Sequence, residues 1–382
     1  MEWVFYSTRV ADLTRKPFPE LVPDDPLTTK CAALTVIVPA CNEQKAIEAT
    51  LRSLLRSDGI RLQVIAVNDR STDRTGHIMD ALAAEFRNPS SIASPHTLEV
   101  LHIGELPSEW LGKPHALAMA ARQARADWLL FTDGDVLFAP NALALALEHA
   151  RAQQADHLVV MPDWITHSLA ESAMHGAMHA LSTWTLRLWR VADPKAKDFL
   201  GVGAFNLIRR RVYEDLGGFA SLRMEVLEDL RLGWKVKRAG YRQRVALGPG
   251  LVSVRWSDGA WGVVRNLEKN LFALYRYNLL VALGACGGLA IQVVWPLAAL
   301  AWGGWATAGA VLWFAAIAGI YAASQRITCV PFYSVVLYPF GAGLFCFAHL
   351  RSIGLALWRD GVIWRGTLYL LKDLRAHAGS SW

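Results

Sequence analysis

Leu34-Thr-Val-Ile-Val-Pro39 is a short apolar, β-branched run that stops at a proline, the pattern of a buried strand. The period then changes. Over residues 44–56, Ala46, Ile47, Leu51, Leu54 and Leu55 recur at helical spacing, and Asp58-Gly59 closes the segment. The alternation continues with a strand at 63–67, a helix at 75–86, a strand at 97–103, a helix at 116–126 introduced by Pro114, and a strand at 127–132. Repeated strand and helix predict βαβ units, hence an α/β fold with a mostly parallel sheet.

After Tyr277 the periodicity gives way to uniform apolarity. Residues 277–325 contain no Asp, Glu, Lys or Arg, which is enough for two membrane crossings at roughly 20 residues each. The natural divisions are 279–302, 305–323 and 331–350, and the short Gly303-Gly304 turn predicts that the first two form a helical hairpin. Arg326 is then expected on the catalytic side. The third segment is either a crossing or a re-entrant or interfacial helix, because Arg351, Arg359, Arg365, Lys372 and Arg375 pull the tail towards the positive side. The chain therefore divides into an N-terminal extension (1–32), a catalytic part (33–276), a membrane region of two to three helices (277–358) and a basic tail (359–382).

Composition sharpens this division. The hydrophobic fraction is 53% and the mean hydropathy +0.23, too apolar for a purely soluble enzyme, and the surplus lies after Tyr277. A net charge of +6 fits anionic lipid headgroups better than nucleic acid, since Lys and Arg are scattered early and reappear beside the apolar runs. Cys31, Cys41, Cys286, Cys329 and Cys346 form no CxxC pair or metal-ligand spacing, which points to a reducing compartment without structural zinc. Residues 1–30 lack the apolar core of a signal peptide and any membrane-spanning run, so the anchor is expected either to be wholly C-terminal or to include a segment upstream of Met1.

Polar clusters fall where predicted strands end: Asn42 and Glu43 after the first, Asn68 and Asp69 after the second, Asp133 and Asp135 after the fourth. Ligands of open parallel sheets gather at such ends. In Thr132-Asp133-Gly134-Asp135, two carboxylates on a tight turn can hold a hard divalent cation whose other positions go to phosphate and water; the same residues also suit a solvated turn. Asp69 is placed to accept from a base or ribose, whereas Asp73 reads as a helix cap. Lys113 at a helix start would add charge to an anion site already favoured by free N–H groups. Glu225, Glu228 and Asp229 open another helix that ends in basic residues, a pattern suited to the macrodipole and also to a general base for an acceptor hydroxyl. Residues 167–190, with Met174, Met178, Trp184 and Trp189 beside Arg187 and Arg190, suit either the bilayer interface or a packed helix. Glu171, His175 and His179 recur at four-residue spacing, as a metal face or, more simply, a polar helix face.

The ordered set Ile37-Val-Pro39-Ala-Cys-Asn42-Glu43, Asn68-Asp69-Arg-Ser71, Gly112-Lys113, Asp133-Gly-Asp135, Gly203-Ala-Phe205-Asn206, Gly217-Gly218-Phe219 and Glu228-Asp229 resembles the inverting glycosyltransferases of family 2, which have a GT-A fold. Arg265-Asn-Leu-Glu-Lys-Asn270 and Trp364-Arg-Gly366 are similar to the membrane-bound branch of ceramide glucosyltransferase-like, hopanoid-associated and carotenoid-glycosylating enzymes. The resemblance implies that Asp69 contacts the base, Asp133 the ribose or metal region and Asp135 a Mg²⁺ or Mn²⁺ ion. Pro39, Asn42, Glu43 and Lys113 would line the pocket of a UDP- or GDP-sugar. Gly203 to Asn206 would floor the sugar or acceptor site, and Asp229, with Glu228, would be the catalytic base. Arg255-Trp256 is present, but Val252 stands where relatives carry Gln, which argues against polymer synthesis and leaves Trp256 as an acceptor platform.

The expected function is inverting sugar transfer to a membrane lipid hydroxyl by a multi-pass protein of the cell membrane, with its catalytic part on the cytoplasmic side. Two alternatives stand beside it. A polyprenyl-phosphate acceptor is already ionised and would need no base, and a membrane scaffold with a degenerate pocket would bind nucleotide without turnover.

Overall fold

A computed structural model describes residues 10–13, 33–87, 95–182, 186–324 and 330–378. The expectations for Arg326 and Trp184, and almost all of the 1–32 extension, lie outside these residues. The chain forms two compact units. One comprises Val10–Asp163 and Leu188–Val254, and the other contains Trp164–Arg187 and Arg255–Trp382.

The first unit is built on β1 (Ala11–Asp12), β2 (Leu34–Ala40), β3 (Leu62–Asp69), β4 (Thr97–Ile103), β5 (Trp128–Phe131), β6 (Val136–Phe138), β7 (His157–Met161), β8 (Asp163–Trp164, at the unit boundary), β9 (Asn206–Arg209), β10 (Gln243–Leu247) and β11 (Val252–Val254). Among the described residues, eight strands form one sheet in the order β1-β10-β7-β9-β5-β2-β3-β4. Pairing is parallel except where β9 runs against β5 and β7. The expected α/β sheet is thus mixed and mostly parallel. β5, β2 and β3 are parallel neighbours, so the strand ends that carry the polar clusters emerge along one edge. Pro39 is tolerated in central β2 because pairing with β5 stops at Ile37, and beyond that point only β3 lies alongside.

Two helices on this sheet carry candidate side chains. Gly112–Ala121 and Glu228–Arg238 pack Ala116, Leu117, Leu232 and Val236 into one core with Ile37, Ile65, Leu129 and Phe131. The first starts at Gly112, with Lys113 at its start as expected, and ends at Ala121, short of the expected 126. Pro114 fits inside the first turn, where its missing N–H would have had no helical partner, and this brings Lys113 into the helix. The second starts at Glu228; Glu225 stays outside it, buried and 3.9 Å from Arg231.

The other unit holds three helices long and apolar enough to cross a membrane. They are Leu279–Trp302, Gly304–Ala323 and Phe332–Trp358, with hydropathies of 1.8, 1.7 and 1.5. Asn278 caps the first by accepting the Val281 N–H, and Gly303 and Gly304 make the expected turn with positive φ. The third runs past the expected end at residue 350 because Arg351 is neutralised by Glu268 at 2.6 Å and lies over the Trp261 ring. A helix from mid-chain, Leu169–Ser182, packs among them: Met174 joins Val263, Leu267 and Ala348, and Gly341 approaches the Ala173 carbonyl so closely that a Cβ would collide with it. Met174 and Met178 therefore serve packing rather than an exposed interface. A hairpin of β12 (Gly361–Trp364) and β13 (Thr367–Leu370) follows.

Candidate active site

Hydrogen bonds between the strand-end loops explain the local geometry. Asn42 takes a left-handed φ of 59°, its side-chain oxygen accepts the Thr72 N–H at 2.8 Å, and its own N–H donates to Ser71. Glu43 N–H donates to Thr75 Oγ1, and Asp73 accepts the Thr75 N–H as the helix cap expected of it. Asn42 is exposed and braces the two loops together. Asp69 is fully buried, with its carboxylate held by Arg70 at 2.8 Å, and Gly112 lies against this pair so closely that a Cβ would strike both.

The Asp133-Gly134-Asp135 turn is held from two sides. Thr50 Oγ1 donates to the Gly134 carbonyl at 3.0 Å, and Thr132 Oγ1 donates to the Ala204 carbonyl at 2.8 Å. The second bond draws residues 203–206 up to the turn. A Cβ on Gly203 would collide with the Asp133 carboxylate and sit 3.3 Å from Asp229 Oδ2, so a backbone without a side chain separates these acids. Lys113 completes the cluster: its ammonium lies 2.6 Å from Asp133 Oδ1 and 2.6 Å from Glu228 Oε1. Side chains from a strand end and two helices therefore meet at one place.

The electrostatics are strained towards negative charge. Burial, then Asp133 and Glu43, push the Asp135 carboxyl up to about 7. Burial and then Glu228 push Asp229 up to about 6, against the pull of Lys113. Burial works against the Lys113 cation, but Asp133, Glu228 and Asp229 outweigh it and hold its pKa above the ordinary lysine value. Asp133 and Asp135, with Glu43 beside them, carry more charge than one lysine offsets, which fits a divalent cation. Among the described residues no three His, Cys, Asp or Glu side chains gather as a ready metal cage. Two carboxylates would leave the remaining positions of Mg²⁺ or Mn²⁺ to phosphate oxygens and water.

Several supports were not visible in the sequence pattern. A Cβ on Gly201 would strike the Asp229 carbonyl, and one on Gly233 the Leu200 carbonyl, so these two glycines let the 200–203 segment lie flat on the helix that carries the acids. Asn206 lies beneath that segment rather than facing solvent: its amide oxygen accepts from His157 Nε2 at 2.6 Å, Gln243 donates to His157 Nδ1, and Gln243 also bonds both backbone groups of Leu200. Burial lowers His157 to about 4, which keeps its ring neutral and suits this tautomer. Gly217-Gly218 place Phe219 edge-on to Phe131, 4.9 Å between centroids. Trp256 belongs to the unit that holds the membrane helices, where it stacks on Trp164 at 6.1 Å.

This mixed, mostly parallel sheet, with acids and a lysine gathered where parallel strands end, has the GT-A fold. Residues 35–217 match the family described as Glycosyl transferase family 2. Two relatives are the 4,4'-diaponeurosporenoate glycosyltransferases of Staphylococcus haemolyticus (strain JCSC1435) and Staphylococcus aureus (strain MRSA252). They are 26% identical over 60% of this chain and 27% identical over 53% of it. The matches cover 58% and 50% of those proteins, so the chain spans little more than half the length of the curated relatives it matches. A mannosyltransferase from Pyrobaculum calidifontis, solved in complex with GDP-Man and Mn²⁺, shares the fold at a TM-score of 0.52 and 19% identity, over 91% of this chain and 93% of that one.

Proposed function

We propose that the protein transfers a sugar from a UDP- or GDP-sugar to the hydroxyl of a membrane lipid, inverting the anomeric carbon in one displacement. The observation that carries this reading is the Lys113 ammonium, 2.6 Å from both Asp133 and Glu228, with Gly203 wedged between Asp133 and Asp229. It joins a candidate diphosphate-binding turn, within the residues 35–217 that match Glycosyl transferase family 2, to a candidate base that lies just beyond them. The carotenoid glycosyltransferases among its relatives and the three apolar helices support a lipid acceptor at a membrane. The catalytic part, residues 33–276, would work on the cytoplasmic face of the cell membrane.

In this reading Asp229 takes the proton of the acceptor hydroxyl as its oxygen bonds to the anomeric carbon, and the bond from that carbon to the diphosphate breaks on the opposite face. Glu228 keeps Lys113 directed at the place where leaving-group charge develops, and the Lys113 cation stabilises that charge. Mg²⁺ or Mn²⁺, when held by Asp133 and Asp135, supplies further charge neutralisation to the diphosphate. Asp69, Pro39, Asn42, Glu43 and Gly203 would line the donor side.

Asp229→Asn is expected to bind donor like the parent protein while transfer falls by about 10²–10⁴. Asp135→Asn is expected to remove the cation dependence of donor binding measured by calorimetry. Transfer that survives Asp229→Asn would require another base, or an acceptor already ionised as in a polyprenyl phosphate.

A further inference from the structure

We infer that His175, walled by Trp164 and Trp256, is a binding contact for the hydroxyl of a membrane lipid. His175 is fully buried in the helix Leu169–Ser182, and neither ring nitrogen has a hydrogen-bond partner. Its ring lies 4.6 Å from that of Trp164 and 5.9 Å from that of Trp256, and the two indoles stack at 20° to one another. Both indoles remain partly exposed, so apolar walls open outward over a buried polar floor.

The polar neighbours on the same helix are already engaged. Glu171 accepts from the His167 N–H and from Ser257 Oγ, and Ser172 donates to Thr166. One residue beyond His175, a Cβ on Gly176 would meet the Tyr321 hydroxyl, which is also buried without a hydrogen-bond partner. In a unit rich in apolar helices such unpaired atoms are costly to retain, so they call for a partner that the protein itself does not supply. Burial lowers the imidazole to about 4, opposed by Glu171, so the ring is neutral and offers one donor and one acceptor. A hydroxyl matches that pair in both directions. A carboxylate, which only accepts, would leave one nitrogen unpaired.

This inference rests on the lipid-acceptor reading, and its test does not require turnover. The full chain in nanodiscs is irradiated with a diazirine-bearing hexadecanol or with the same chain lacking the hydroxyl. The alcohol is expected to label peptides containing Trp164 or Trp256 about fivefold more than the hydroxyl-free chain, the effect of one net hydrogen bond. His175→Phe should abolish this preference while melting at or above the parent temperature, because an unpaired polar group is removed. His175→Gln, which keeps a donor and an acceptor, should retain it. Equal labelling by both probes, or a preference that persists in a folded His175→Phe protein, overturns the inference. Should His175→Phe fail to fold, Trp164→Leu, which removes a partly exposed wall, carries the same comparison. Absence of transfer from any UDP- or GDP-sugar would remove the transferase reading and leave the labelling preference standing. Loss of the preference in an active enzyme removes this contact alone.

Discussion

Asp229 has to be ionised to accept a proton, and burial together with Glu228 raises its pKa to about 6. With donor and cation saturating, so that Asp135 is already held ionised, kcat for transfer is therefore expected to rise with pH through one ionisation near 6 and level off above it. A profile flat from pH 5 to 8 would exclude this group as the base. The stability effect has the opposite sign. A carboxyl raised from 3.8 to about 6 binds its proton more tightly folded than unfolded, so this group costs stability as pH climbs through that interval. Lys113 gives a second prediction. Its loss leaves Glu228, 3% exposed, without its cation. Lys113→Met should lower unfolding free energy by about 2–4 kcal/mol, allowing for the partial exposure of Asp133, and adding Glu228→Gln should recover part of the loss in denaturant titration.

At the level of elements, convergence of the strand ends was legible because β-rich runs, helical spacing and polar termini all repeat locally. Asp133, Asp135, Lys113 and Asp229 fell to that logic. Gly201, Gly233 and the His157–Asn206–Gln243 chain did not, since each matters through a contact with a residue distant in sequence and leaves no periodic trace. The Lys113 helix ends at Ala121, short of the expected 126; residues 122–126 keep a helix-favouring composition, so no local signal marks the stop. Thr50 shows how an element positions the site without touching substrate. Thr50→Val removes the donor to the buried Gly134 carbonyl and is expected to cost about 1–3 kcal/mol. Cation affinity should weaken while Asp229-dependent chemistry persists in saturating metal, and an unchanged affinity would mean that the Asp133-Gly134-Asp135 turn holds its shape alone.

At the level of the whole molecule, the three apolar helices predict that the protein stays in the membrane pellet through an alkaline carbonate wash and is released by detergent; release by carbonate would refute integral insertion. Trp302 and Trp305, 66% and 94% exposed on either side of the Gly303-Gly304 turn, suit the headgroup layer at the tip of that hairpin. The path of the chain has a further consequence. Residues 164–187 leave one unit to join the other, and the chain then returns before departing for good at Arg255. During synthesis the helix Leu169–Ser182 leaves the ribosome long before Gly341, the glycine that seats against its Ala173 carbonyl, has been made. Until then Ala173 and Ala177 lack their native cover, so the nascent chain depends on timely delivery of its last third, and a stop codon placed after the final strand of the large sheet would leave an unfinished surface rather than a free-standing enzyme.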